Sequence, residues 1–106
     1  GDKAEFSRYI EVKSTKRVTV PNFNEENWLD TVNITRNEWI AAQQHKDLYS
    51  IFRVYFVRGH VITCIIENPF EKENGNKINV TPLMYRLDFN KNAIDKTHRE
   101  ERIANV

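Results

Sequence analysis

Glu11 and Lys13 stand two residues apart in the run Tyr9-Ile10-Glu11-Val12-Lys13. On a β-strand this spacing sends a carboxylate and an ammonium out of the same face. Metal-assisted phosphodiester hydrolysis uses that pairing. Glu11 could offer Mg²⁺ a hard oxygen and the Val12 backbone carbonyl a second one. Lys13 could orient the attacking water or steady charge developing on the phosphate. The same residues also suit a plainer role, an exposed strand whose opposite charges alternate as a solvated ladder.

Other side chains are weaker candidates. Lys16 and Arg17 follow Lys13 closely, and the three make a small basic cluster that could meet nucleic-acid phosphates. Arg53 stands alone in an apolar run, where an arginine either bonds a neighbouring carboxylate or carbonyl or contacts a phosphate. Glu38 reads first as a helix-capping residue, with support of the Glu11 site as the alternative. Gln43 or Gln44 could line the same site from the helix. The three histidines, His45, His60 and His98, share no metal-ligand spacing and read as surface residues. Three glycines form no phosphate loop, and no nucleophile–histidine–acid signature is present.

These residues need elements to hold them. Phe6 to Lys16 reads as a strand, which Lys16 to Val20 could continue. Pro21 to Asp30 reads as a polar loop pinned by Trp28 and Leu29. Thr31 to Ile34 is short and β-branched, so a short strand is expected. Thr35-Arg36-Asn37-Glu38 is a capping box, in which the Thr35 hydroxyl serves the Glu38 amide and the Glu38 carboxylate reaches back. A helix should follow to about His45 or Lys46, with Trp39, Ile40, Ala42 and Gln43 on its partly apolar face. Leu48 to Val57 and His60 to Glu67 are strong strands, and the short Arg58-Gly59 link makes them an antiparallel hairpin. Asn68-Pro69 ends the second. Glu71 to Lys77 reads as a polar loop, Ile78 to Val80 and Met84 to Phe89 as further strands. The residues 90–106 are highly charged, and read as a helix over Asp95 to Ala104 or a frayed tail.

Composition bounds the rest. The 106 residues suffice for one domain, here placed at 1–89 with the tail after it. Sixteen Lys plus Arg against fifteen Asp plus Glu give a net charge of +1, so a dedicated nucleic-acid coat is excluded and any such contact is local. Cys64 is a single cysteine in an apolar strand, and an internal disulfide is impossible. With no signal peptide and no apolar run of about 20 residues, an intracellular, cytoplasmic location without membrane contact is expected. The chain opens at Gly1-Asp2 without a methionine, as a piece trimmed from a longer protein would.

Several runs agree in order. They are Arg8 to Ser14, Asn33-Ile34-Thr35-Arg36-Asn37-Glu38-Trp39, Leu48 to Tyr55, and Ile65-Ile66-Glu67-Asn68-Pro69. Together they resemble the NO VEIN C-terminal domain family, a domain of unknown function placed by similarity in the PD-(D/E)XK nuclease-like superfamily, near the Mrr restriction-endonuclease type. The resemblance runs from Phe6 to Pro69, with a weaker echo to Phe89. It implies an α/β fold with a central mixed β-sheet flanked by helices and a restriction-endonuclease-like core. It also implies a Mg²⁺-dependent DNA endonuclease site at Glu11 and Lys13, and partners such as a fused helicase or restriction-modification domain. In that superfamily the first acidic residue lies on the strand before the E-x-K strand. Here only Asp2 and Glu5 precede Glu11, and a turn near Lys3 to Phe6 would keep Asp2 away from it. The core therefore reads as N-terminally truncated and the site as half built, so the chain by itself is expected to be inactive. The competing class is a non-catalytic module that binds nucleic acid or a partner protein for a linked enzyme, and a third is a structural domain without a site.

Overall fold

In a computed structural model, which describes residues 8–81 and 86–101, Tyr9–Arg17 forms strand β1. Glu11, Lys13 and Thr15 are half-buried on one face, while Ile10, Val12, Ser14 and Lys16 are exposed on the other. The alternation is that of a strand covered on one side. Strand β2 (Asp30–Asn33) follows a loop, then helix α1 (Arg36–His45), and then strand β3 (Tyr49–Val57) returns parallel to β1, with Glu11 opposite Ile51 and Lys13 opposite Arg53. Parallel neighbours need such a long crossover, because no tight turn can bring the chain back in the same direction.

The capping box is present as read. Thr35 Oγ1 accepts from the Glu38 amide at 3.0 Å, and Glu38 Oε1 accepts from the Thr35 amide at 2.8 Å. Trp39 and Ala42 are buried beneath α1, whereas Ile40 and Gln43, expected on the same apolar face, are exposed. Thr35→Ala removes the hydroxyl partner of an orphan helix amide. It is expected to lower unfolding free energy by about 1 kcal/mol in urea titrations, with an unchanged denaturant slope.

Strand β4 (His60–Glu67) pairs antiparallel with β3, Ile51 facing Ile66, Arg53 facing Cys64 and Tyr55 facing Ile62. Gly59 makes the turn at φ +82, in the left-handed region where a side chain would be strained. Helix α2 (Pro69–Asn74) corrects the expectation of a loop from Glu71. Asn68 Oδ1 accepts from the Glu71 amide, and Pro69 sits at the first helical turn, where its missing N–H costs nothing. The Asn-Pro pair is therefore a helix start as well as a strand stop. Strands β5 (Ile78–Thr81) and β6 (Arg86–Phe89) join β2 in a three-stranded sheet of order β2-β6-β5. Residues 82–85, including Pro82 and Met84, lie outside the described residues.

The charged segment after Phe89 is neither a helix nor a tail over 96–101. A short 3-10 turn (Lys91–Ala93) leads into strand β7 (Lys96–Glu101), which pairs antiparallel with β4 and completes a sheet of order β1-β3-β4-β7. All six of its side chains are exposed, so it carries none of the apolar alternation by which strands are recognised. Ala104 lies outside the described residues.

Over the described residues the α/β domain has a mixed main sheet, two α-helices and a second small sheet. Tyr55, Ile51, Ile62, Ile66, Leu87 and Phe89 fill the space between the sheets. Trp28 pins the first loop by edge-on contact with Phe23 and Phe89, at ring-centroid distances of 4.9 and 5.5 Å. Leu29, expected to share that task, is 59% exposed. Among the described residues no helix is long and apolar enough to cross a membrane.

Candidate active site

Glu11 and Lys13 leave β1 on the same face, and Lys13 Nζ lies 3.3 Å from Glu11 Oε1. A second carboxylate meets them there. Helix α1 starts beside β1, and its capping box points Glu38 inward, so that Lys13 Nζ lies 3.0 Å from Glu38 Oε1 and 3.3 Å from Oε2. Glu38 thus both caps the helix and joins the E-x-K pair, which unites the two roles the sequence offered for it. All three side chains keep between 21% and 30% of their surface exposed, so the group is neither a buried structural ion pair nor a free surface ladder.

The electrostatics follow from crowding two carboxylates around one ammonium. Partial burial and the neighbouring Glu38 carboxylate push the Glu11 pKa up, against the opposing pull of Lys13. Burial would push Glu38 up as well. The hydrogen bonds it receives from Glu11, the Thr35 amide and Lys13 outweigh that and bring it down to about 2. The pair therefore ionises unequally: Glu38 is the permanent anion, and Glu11 is the group that takes up a proton first. Burial works against the Lys13 charge, but the two glutamates more than offset it and raise its pKa, so the ammonium persists at neutral pH.

The group opens on a cleft of about 450 Å³ lined by Arg8, Tyr9, Ile10, Glu11, Asn37, Glu38, Ala41 and Tyr49. Tyr49 is the first residue of β3 and the register partner of Tyr9. Its phenol is pushed up to about 12 by burial and by the charges of Glu11 and Glu38, so it enters any chemistry as a neutral O–H donor. Tyr9 and Tyr49 were not legible as site residues, because their meeting depends on a parallel pairing between segments 40 residues apart. Had that pairing been known, the alternation from Glu11 back to Tyr9 would have found the first of them.

The remaining candidates scatter. The side chain of Val12 points away from the site and is exposed, leaving its backbone carbonyl as the only part on offer. Lys16 is on the opposite face of β1 from Lys13. Arg17 binds Asp30 at 3.0 Å. Arg53 is only 8% exposed, and its Nε donates to Asp30 Oδ2 at 2.8 Å, the carboxylate-bonded alternative for an arginine in an apolar strand. Gln43 is exposed and absent from the cleft wall. Asp2 lies outside the described residues. His45 is half-buried and stacks on Tyr9 with ring centroids 3.8 Å apart.

Among the described residues, no group of three or more His, Cys, Asp or Glu side chains gathers to hold a metal. Two carboxylates do come together, and hard divalent cations such as Mg²⁺ are commonly held by one or two carboxylates with water and substrate phosphates completing the shell. Glu11 and Glu38 fit that pattern as the protein's share.

In comparisons with known proteins, the family model described as Protein NO VEIN, C-terminal matches residues 1–66. The match takes in β1, β2, α1, β3 and nearly all of β4, and with them every residue of the group around Lys13. No curated protein matches the chain. No solved structure matches it either.

Proposed function

Because the chain belongs to the family of the NO VEIN C-terminal domain, we propose that it is a nuclease-like domain of the PD-(D/E)XK class that hydrolyses phosphodiester bonds with a divalent cation. The observation that carries this reading is the position of Lys13 Nζ, within 3.3 Å of two carboxylates, Glu11 from β1 and Glu38 from α1, that both line a cleft. A strand followed by a crossover helix and a parallel strand supports it, since that arrangement brings the helix N-terminus beside the E-x-K residues.

Glu11 and Glu38 would hold the cation, with the Val12 carbonyl as a further oxygen on the same strand. When bound, Mg²⁺ would polarise the phosphoryl oxygens and lower the pKa of a coordinated water. Glu38 takes the place of the acidic residue that the superfamily carries on a preceding strand, so the site need not await Asp2. Lys13 supplies a fixed positive charge where negative charge develops on the phosphate, and preorganised charge of this kind accounts for much of catalysis in dry sites. Tyr49 keeps its proton and can donate it in a hydrogen bond. DNA is the substrate that the superfamily suggests. A fused helicase or restriction domain would bring it there, because a near-neutral chain does not gather nucleic acid by charge alone.

The reading is tested by Mn²⁺ titration followed by electron paramagnetic resonance. Glu11→Gln and Glu38→Gln are each expected to weaken binding at least about 10-fold, the scale at which supporting ligands already act. Affinity should fall with acidity, because a proton on Glu11 competes with the ion. The raised Glu11 pKa places that fall above the pH at which an ordinary glutamate would cause it. Binding that is unaffected by either substitution would refute the two-carboxylate site and favour a non-catalytic module.

A further inference from the structure

The cleft has more wall than a metal and a phosphate require. Tyr9, Ala41 and Tyr49 give it an apolar lining beside the two glutamates. A phosphate gains nothing from such a surface, whereas a flat aromatic ligand does. Tyr9 is 41% exposed although it is a large ring in a strand. His45 stacks on it at 3.8 Å and an interplanar angle of 19°, and His45 is not part of the cleft wall. The imidazole therefore braces Tyr9 from outside the cleft, and the Tyr9 ring stands between His45 and the cleft.

Tyr49 provides a second, independent observation. The residue is only 4% exposed, yet its hydroxyl has no hydrogen-bond partner among the described residues. No fully buried side-chain nitrogen or oxygen in the described residues lacks a partner. The Tyr49 hydroxyl is thus reached through the cleft, an open donor on an otherwise buried ring. Charge completes the picture. Arg8 on the wall and Lys13, paired with both glutamates, offset Glu11 and Glu38, so the cleft is close to neutral and offers no strong field to a duplex backbone.

We propose that this cleft is a nucleotide subsite for an unpaired residue of a polynucleotide, with the base stacked on Tyr9 and a phosphate or sugar oxygen accepting a hydrogen bond from Tyr49. The proposal rests on the phosphodiesterase reading and adds the substrate class, single-stranded or locally opened nucleic acid. A base inside a duplex has both faces covered by its neighbours and cannot present one to Tyr9, whereas an unpaired base can. The volume of about 450 Å³ lies in the ordinary range for small-ligand sites, and so accommodates one nucleotide rather than a helix. Arg8 at the mouth and Asn37 at the helix start stand where adjoining phosphates would pass.

The test is fluorescence anisotropy with labelled oligonucleotides of one sequence, as single-stranded DNA, single-stranded RNA and duplex DNA, in Ca²⁺ to hold the phosphates. Single strands are expected to bind more tightly than the duplex. The better of the DNA and RNA arms identifies the natural backbone. Tyr9→Ala should weaken single-strand binding by roughly 5- to 150-fold, the cost of one base–aromatic stack, and leave duplex binding unchanged. Tyr9→Trp should restore it, which a merely structural role for the phenol would not allow. Tyr49→Phe, which keeps the ring and removes only the hydroxyl, should weaken single-strand binding several-fold. Equal affinity for duplex and single strand, no oligonucleotide binding at all, or indifference to Tyr9→Ala in a folded protein would each overturn the proposal. Cleavage of duplex DNA with no effect of Tyr9→Ala would sink this inference and leave the metal site standing. Tyr9-dependent single-strand binding without metal-dependent cleavage would do the reverse.

Discussion

Asp30→Ala is expected to cost about 3–5 kcal/mol of stability, as removal of one partner from a buried ion pair does. Asp30 is 6% exposed and accepts from four residues: Arg53 through Nε at 2.8 Å and Nη2 at 3.5 Å, Tyr55 Oη at 2.6 Å, Arg17 at 3.0 Å and the Thr31 amide at 2.7 Å. It lies on β2 of the small sheet, while Arg17, Arg53 and Tyr55 lie on β1 and β3 of the main one. The carboxylate is the polar joint between the two sheets. Its loss strands a guanidinium and a phenol hydroxyl in an apolar interior, which is far more costly than the net worth of the pair. A domain with ordinary marginal stability would retain little after such a change. Urea unfolding measures it, and the double variant Asp30→Leu with Arg53→Met should be less unstable than Asp30→Ala alone, since no buried charge is then left behind and the remaining Arg17 is solvated.

The same joint sets an acid limit. Burial alone would raise the Asp30 pKa, but the hydrogen bonds from Arg53 and Tyr55 and the Arg53 charge outweigh it and hold the carboxyl below its ordinary value of 3.8. A group whose folded pKa is depressed contributes stability in full above its unfolded pKa and loses it as the pH falls through the folded one. The penalty of Asp30→Ala should therefore be constant from neutrality down to about pH 4 and shrink below that.

Parts of this arrangement were legible in the chain because they are local. The Thr35 to Glu38 capping box sits within one helical turn, and the hairpin around Gly59 joins neighbouring segments, so both could be read from spacing alone. The E-x-K face of β1 was legible for the same reason. The meeting of Glu11 with Glu38 was not, because it depends on where a crossover of 31 residues, 18–48, sets down the helix N-terminus. Arg53 showed the opposite problem. Its odd place in an apolar strand marked it as special, and the Asp30 that satisfies it sits 23 positions away in a loop-like segment whose burial no local pattern announces. Strand β7 is not legible, because an edge strand exposed on both faces has the composition of a solvated tail. Helix α2 was missed because it is only six residues long and its signal lies in Asn68 and Pro69 rather than in any periodicity.

The second large effect concerns activity. Lys13→Ala removes the ammonium that the Glu11 and Glu38 carboxylates share. It is expected to slow metal-dependent cleavage by about 10²–10³-fold, the range for losing one preorganised stabiliser of developing charge. Metal binding should remain, because the proposed ligands are the carboxylates. Glu11→Gln should reduce both metal binding and cleavage, since it removes a proposed ligand without changing the shape of the strand. The most direct measurement is the rate of Mg²⁺-dependent strand scission by the wild-type chain and by Glu11→Gln, on supercoiled plasmid and on single-stranded circular DNA, with circular dichroism confirming that both proteins are folded. Scission of either DNA by the wild type that vanishes with chelator and falls at least about 100-fold in Glu11→Gln is the predicted result. No scission of either DNA by the folded wild-type chain, or scission that Glu11→Gln leaves untouched, would contradict it.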